Sequence, residues 1–167
     1  MTVRPASLGA HTSSPAETRE LAAAVAALAE GGDIFVLAGD LGTGKTMWVK
    51  GFASALGVTE AVTSPTFTLV RPYEGAHLRL LHADVYRLDF LSEVVDLGLV
   101  EQLDDQAVAC IEWGDLAEPA LPADFLEIRL EVGVGDDDRE LTFRPVGPRW
   151  HARAAQLEQS LMPWVVR

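Results

Sequence analysis

Eight consecutive residues carry the densest chemistry in this chain: Gly39, Asp40, Leu41, Gly42, Thr43, Gly44, Lys45 and Thr46. Their spacing is G-x-x-x-x-G-K-[ST], the P-loop or Walker A pattern. Glycines at this spacing allow a backbone path whose successive N–H groups converge on anionic oxygens. A helix opening at Lys45 would aim its unpaired N–H groups and positive dipole end at the same point. Lys45 can reach the β- and γ-phosphates of a nucleotide, and Thr46 can offer its hydroxyl to Mg²⁺. The bland alternative is a chance match in an ordinary glycine turn. The flanks argue against it. Ile34 to Ala38 is a short apolar run of strand type, and Trp48, Val49, Phe52 and Leu56 follow at helical spacing, closed by Gly57.

Further residues have types that such a site needs. Asp84 stands near the end of a predicted strand over residues 78–86, and acidic residues in that position hold Mg²⁺ directly or through water. A solvated surface aspartate is the competing reading. Glu112 ends the apolar run that begins at Ala107. A carboxylate at the end of a buried strand is costly unless paired or metal-bound, so Glu112 is a candidate for the metal or for the attacking water. Trp113 either flanks a nucleotide or packs in the core. Thr18 lies in the first turn of a predicted helix, where exposure is the usual fate of threonine.

The elements that would position these groups are legible from spacing. Ser14-Pro15-Ala16-Glu17 reads as a capping box with proline at the first helical position, and the helix it opens is expected to stop at Gly31-Gly32. Its face is mostly alanine, which predicts close packing on a neighbour. Pro65 interrupts any helix in Val62 to Phe67. Residues 66–73 and 78–86 read as a hairpin, and residues 125–134 and 140–144 as another. Residues 90–103 hold helical pieces broken at Gly98, and residues 149–161 read as a closing helix. Asp136-Asp137-Asp138 lacks the calcium-loop pattern and reads as a solvated turn. Residues 1–13, rich in Ser, Thr, Gly and Pro, are expected to be mobile.

Composition limits the function classes. The 167 residues suit one compact domain, about half of them apolar. Lys plus Arg number 13 against 25 Asp plus Glu, a formal net charge of −12. That balance argues against a direct grip on nucleic acid, which shows as a basic patch or stripe. It fits either plain solubility or an acidic docking face. No apolar run reaches membrane-span length and no secretory pattern opens the sequence. Cys110, the single cysteine, sits in an apolar run and reads as a buried structural thiol. These features suit the cytoplasm. The four histidines show no metal-ligand spacing.

Together, GDLGTGKT, SPTF (Ser64 to Phe67), HADVYRL (His82 to Leu88), DLGL (Asp96 to Leu99) and IEW (Ile111 to Trp113) resemble the TsaE family, also called YjeE, in order and spacing from about Thr18 to Trp113. The pairing of SPTF with H-x-D-x-Y-R is the specific part; the P-loop is shared with many families. Gly114-Asp115 departs from the Pro-Glu or similar pair usual after IEW. The resemblance implies an α/β fold, a P-loop NTPase-like mixed sheet with helices on both faces. It implies a single ATPase domain that binds ATP and Mg²⁺ and hydrolyses ATP slowly when alone. Its implied partners are a TsaD-like transferase and a TsaB-like scaffold, which attach threonylcarbamoyl to N6 of adenosine 37 in tRNAs reading ANN codons. This subunit would reset that complex between turnovers and meet tRNA only indirectly, with no membrane involved. Carried over by position, residues 39–46, Thr18, Thr66, Asp84 and Trp113 surround the nucleotide. Thr46 and Glu112 belong to the metal site, and Lys45, Glu112 and Asp84 are the catalytic candidates.

Rival readings make distinct demands. A small-molecule kinase usually carries an arginine-dense lid, which is not visible. A GTPase of the common kind needs N-K-x-D, and the chain contains no asparagine. A non-enzymatic nucleotide-dependent docking switch remains compatible with the sequence.

Overall fold

Seven strands build one mixed sheet in the computed structural model, which describes residues 7–65 and 69–165. Across the sheet the order is β1 (Leu8–Thr12), β7 (Arg139–Val146), β6 (Phe125–Val132), β2 (Ile34–Ala38), β5 (Ala107–Glu112), β4 (Arg79–Asp84) and β3 (Val70–Glu74). β6, β2, β5 and β4 run parallel. β3, β7 and β1 are antiparallel to their neighbours.

The central strand explains the layering. Every residue of β2 is buried. Phe35 and Leu37 enter one core and Ile34 and Val36 the other, as the two-residue period of a strand requires. The first core lies under α1 (Pro15–Ala26), α2 (Lys45–Ala55) and α6 (Ala154–Leu161). Phe35, Trp48, Phe52 and Trp150 stack edge and face within it, with the Phe35 and Phe52 centroids 4.7 Å apart. The second core takes Val94 of α3 (Leu91–Asp96) and Leu99 of α4 (Leu99–Gln102). The mixed α/β sheet is thus flanked by helices on both faces, as expected.

The alanine face of α1 does lie close to a neighbour. A Cβ on Gly51 of α2 would stand 2.4 Å from the Arg19 carbonyl oxygen, so the crossing requires glycine there. Ser14 caps α1 by accepting from the Glu17 N–H, with Pro15 in the first turn. Gly98 breaks α3 from α4 at a φ of 67°. Both predicted hairpins form, as β3–β4 and β6–β7.

Three expectations are corrected. Residues 8–12 are not mobile: β1 pairs with β7 from Leu8↔Phe143 to Thr12↔Arg139. Composition suggested a loop, but this ladder covers the free edge of β7 and buries Ala10 and Thr12. α1 ends at Ala26, short of Gly31-Gly32, in tighter turns whose Leu28 carbonyl accepts from Arg153. The closing helix is two helices, α5 (Pro148–Ala152) and α6, broken at Arg153. Its guanidinium makes two 2.7 Å bonds to the buried Asp33 carboxylate.

Candidate functional site

The C-terminal ends of the parallel strands β2, β4 and β5 meet at one edge of the sheet, where α/β sheets place their ligand sites. β2 runs directly into Gly39, at φ 139°. A Cβ on Gly39 would lie 2.3 Å from the Leu130 carbonyl oxygen and 2.8 Å from Thr43 Oγ1, so only glycine passes between them. Gly44 caps α2 at φ 101°, with no side chain satisfying the helix end. The first intrahelical bond runs from the Trp48 N–H to the Gly44 carbonyl. The N–H groups of residues 44–47 are therefore left to face the loop.

Lys45 is only 5% exposed and lies inside this loop. Its Nζ donates to the carbonyls of Gly39 at 2.7 Å and Asp40 at 2.8 Å, and sits 4.0 Å from the Trp113 ring centroid. Burial pulls its pKa down, opposed by the negative charges of Glu112, Asp84, Asp115 and Asp40. The Thr43 hydroxyl donates to the Asp40 carbonyl and supports the loop from within. Leu41, 82% exposed, projects from the tip.

Strand register brings the carboxylates together. β4 and β5 pair Asp84 with Glu112, and β5 and β2 pair Glu112 with Leu37. His82, Asp84, Cys110 and Glu112 share one parity, so these side chains point to the face that carries α2. Glu112 is 3% exposed. Its Oε1 accepts from Thr46 Oγ1 at 2.8 Å, and its Oε2 lies 2.6 Å from His82 Nε2. Asp84 is half-buried. Its Oδ1 accepts from the Tyr86 N–H at 2.9 Å and its Oδ2 from Ser64 Oγ at 3.2 Å.

Two hollows flank the loop. Pro15, Thr18, Thr43, Gly44, Met47 and Arg139 line one, together with Asp137. Thr18 is buried there, against expectation, because its hydroxyl bonds that of Thr12 at 2.7 Å on β1. On the other side a hollow is lined by Leu41, Ser64, Pro65, Asp84, Arg87 and Trp113. Trp113 is half-buried at its wall, its ring tilted 35° against that of Tyr86 with centroids 4.6 Å apart. It takes the left-handed conformation, φ 60°, which turns the chain after β5. Gly114 follows because a Cβ there would meet Val36 Cγ1 at 2.9 Å. Thr66 lies outside the described residues.

These groups fit an anionic ligand with a hard cation. Thr46, Asp84 and Glu112 present only oxygens, the donor type that Mg²⁺ takes. Among the described residues no three His, Cys, Asp or Glu side chains cluster to hold a metal alone. Magnesium is ordinarily bound by one or two carboxylates plus phosphate oxygens.

Residue spacing points to Lys45, Thr46 and Glu112 and the family resemblance to Asp84 and Trp113, and the structure brings all five together at this end of the sheet. Neither points to Arg139, whose Nε donates to the Thr43 carbonyl at 2.9 Å and Nη2 to Gly42 at 3.4 Å. Those partners lie 96 and 97 residues away, beyond any local pattern. His82 had a signal that was available: it precedes Asp84 by two in a strand and so shares its face.

A family model described as threonylcarbamoyl adenosine biosynthesis protein TsaE matches residues 12–141, past the Trp113 limit of the motifs and into β7. The chain is 45% identical over 148 residues to the tRNA threonylcarbamoyladenosine biosynthesis protein TsaE of Bacillus subtilis, covering 89% of this chain and 92% of that one. It is 43% identical to the protein of the same name from Treponema pallidum, over 75% of this chain and 92% of the relative. The crystal structure of Bacillus subtilis YdiB superposes with a TM-score of 0.74 at 39% identity, covering 92% of this chain and 95% of that one.

Proposed function

The chain belongs to the TsaE family, and on that footing we propose that it is a single-domain P-loop ATPase serving threonylcarbamoyladenosine synthesis on tRNA. The observation that carries this reading is the Lys45, Thr46, Glu112 and Asp84 constellation at the ends of β2, β4 and β5. The hollow beside Thr18 and Met47 suits a base, with apolar walls and one buried hydroxyl network. ATP is the expected nucleotide, since no guanine-reading motif is present. A TsaD-like transferase and a TsaB-like scaffold are the proposed partners, with tRNA held by them. Among the described residues no helix is long and apolar enough to cross a membrane, and a cytoplasmic setting suits the pathway.

Each side chain has a distinct task in this proposal. Lys45 neutralises the phosphates. Thr46 donates its hydroxyl proton to Glu112 Oε1, which leaves its oxygen lone pairs for the metal. Thr46 and Glu112 would hold Mg²⁺, whose positive charge would offset that of the phosphates. Glu112 has both oxygens engaged and almost no exposure, so it serves the metal side through Thr46. Asp84 borders the open hollow and is the better placed to orient a water. Thr66 and the rest of SPTF follow Ser64, which touches Asp84, so this loop is the proposed sensor of the γ-phosphate.

The test is calorimetry and turnover with ATP and GTP, then tRNA modification with the two partners and tRNA in excess. Lys45→Ala should lose most ATP affinity or turnover while staying folded, and should stall modification after the first cycle. Equal multi-cycle modification with Lys45→Ala, or with no protein added, refutes the ATP-driven role.

A further inference from the structure

Building on the reading of Glu112 above, we propose that His82 is a positioning residue that fixes the Glu112 carboxylate so that Thr46 is preset for a divalent cation. His82 is 0% exposed in β4, on the face shared with α2. Its Nε2 meets Glu112 Oε2 at 2.6 Å. An ionised carboxylate only accepts, so the imidazole donates. Its Nδ1 has no hydrogen-bond partner among the described residues. The contact with Glu112 is therefore the one polar interaction this ring makes there. Burying an imidazole for a single bond costs more than burying an apolar ring, and filling space does not explain it.

The geometry gives the bond a task. Glu112 is held from two sides, by His82 on Oε2 and by Thr46 on Oε1. A carboxylate held on one oxygen only can swing about its terminal torsion, which is broad. Held on both, it keeps Oε1 as the acceptor for the Thr46 proton. With its proton engaged, the Thr46 hydroxyl keeps its oxygen lone pairs free to accept a cation. Groups that orient a metal's ligands through one further hydrogen bond are commonly worth about 10- to 100-fold in metal affinity or activity.

Among the described residues no other group hydrogen-bonds Glu112 Oε2. Cys110, directly opposite His82 in the β4–β5 register, is a buried thiol with no ionic role. Asp84, two residues on, is occupied by Ser64 and the Tyr86 N–H.

The experiment compares full-length wild type with His82→Gln, His82→Phe and His82→Asn. The readout is calorimetric affinity for a non-hydrolysable ATP analogue with Mg²⁺ and with chelator, beside kcat and KM. Gln places its amide N–H near the Nε2 position, Asn only near Nδ1, and Phe fills the volume without a donor. His82→Phe should lose about 10- to 100-fold of the Mg²⁺-dependent affinity, with affinity in chelator within about twofold. His82→Gln should stay within about threefold of wild type and His82→Asn should follow Phe, because only Gln restores a donor to Glu112 Oε2. Should His82→Phe fail to fold, the contrast between Gln and Asn carries the test. A folded Phe variant with wild-type Mg²⁺ dependence overturns the proposal, as does a Gln variant as impaired as Asn. If the wild type itself shows no Mg²⁺-dependent binding, the ATPase reading falls and takes this inference with it. If the wild type binds, Lys45→Ala does not and His82→Phe matches wild type, only the inference about His82 falls.

Discussion

Replacing Arg139 with methionine should weaken nucleotide binding although Arg139 lies on β7, about a hundred residues from the glycine loop in sequence. Its guanidinium is a clamp with four backbone acceptors. Two are in the loop, Thr43 at 2.9 Å and Gly42 at 3.4 Å. Two are in the β6–β7 turn, Asp136 at 2.7 Å and Asp138 at 2.8 Å. Hydrogen bonds to a charged donor contribute about 1.5–3 kcal/mol each. Arg139 is half-exposed, water replaces part of what is lost, and the Gly42 bond is long. A loss of about 1–3 kcal/mol in preorganisation of the loop follows. At 1.4 kcal/mol per decade that is roughly a 5- to 150-fold rise in Kd for ATP. Global stability should fall by no more than about 1 kcal/mol, since the long β6–β7 ladder remains. Isothermal titration calorimetry measures the first quantity and urea unfolding the second. Hydrogen exchange should show faster exchange of the amides of residues 42–46. Affinity within twofold of wild type, with loop exchange unchanged, would refute the clamp.

Glu112→Gln and Asp84→Asn should separate the two carboxylate roles. Glu112→Gln keeps the shape but weakens the acceptor for Thr46, so the Mg²⁺ concentration for half-maximal hydrolysis should rise by about 10- to 100-fold. Asp84→Asn should instead lower kcat by about 10²- to 10⁴-fold at saturating Mg²⁺ with nucleotide affinity largely kept, as loss of a water-orienting group does; normal hydrolysis at low Mg²⁺ in both variants would sink both assignments. Burial pushes the Cys110 thiol well up, with the Glu112 charge adding to it. The native protein should therefore leave a thiol reagent such as Ellman's unreacted at pH 8 and release one equivalent on unfolding; fast native labelling would contradict the burial. Arg153→Met strips the buried Asp33 of its bidentate partner, leaving Arg149 at 3.4 Å from Oδ1. Breaking such a pair costs about 3–5 kcal/mol, less what Arg149 recovers. The melting temperature should fall by roughly 6–12 °C; a shift under 2 °C would show that the pair contributes little.

What was legible in the sequence was whatever local chemistry dictates. G-x-x-x-x-G-K-T fixes strand, loop and helix because steric limits on φ and unpaired helix N–H groups act over a few residues. Both hairpins were legible from apolar runs around turn residues. Ser14-Pro15 announced α1 because capping is a three-residue event. The failures share one cause, long sequence separation. Leu8–Thr12 becomes a strand only because β7 arrives beside it from residue 139 onward. Arg153 breaks the closing helix to reach Asp33, 120 residues away. Thr18 reads as a surface residue from sequence because Thr12, the β1 threonine it hydrogen-bonds, lies in a segment whose composition predicts a mobile end. For the site, spacing supplied the residue types, and strand register supplied their union. Asp84 and Glu112 face each other because β4 and β5 are parallel neighbours in register, a fact that no single window of sequence contains.

The charge balance of the chain bears on how the site must work. A protein of net charge −12 is a poor host for a triphosphate. The charges acting on Lys45 are negative, from Glu112, Asp84, Asp115 and Asp40. Opposing charges at such distances in a partly dry loop are strongly felt. One buried lysine and a helix end cannot offset both these carboxylates and the phosphates. On the proposed function, a divalent cation held at Thr46 and the carboxylates would change the sign of that balance. Each ligand then removes part of the repulsion that the other meets, so nucleotide and Mg²⁺ must favour each other's binding, with equal coupling in both directions. In that proposal, the same carboxylates that disfavour bare phosphate in the loop would select the magnesium complex. An apolar edge in their place would lose that selection. On the proposed function, the acidic balance of the chain therefore does not conflict with a nucleotide site; at this end of the sheet the carboxylates would set which form of the nucleotide the site accepts.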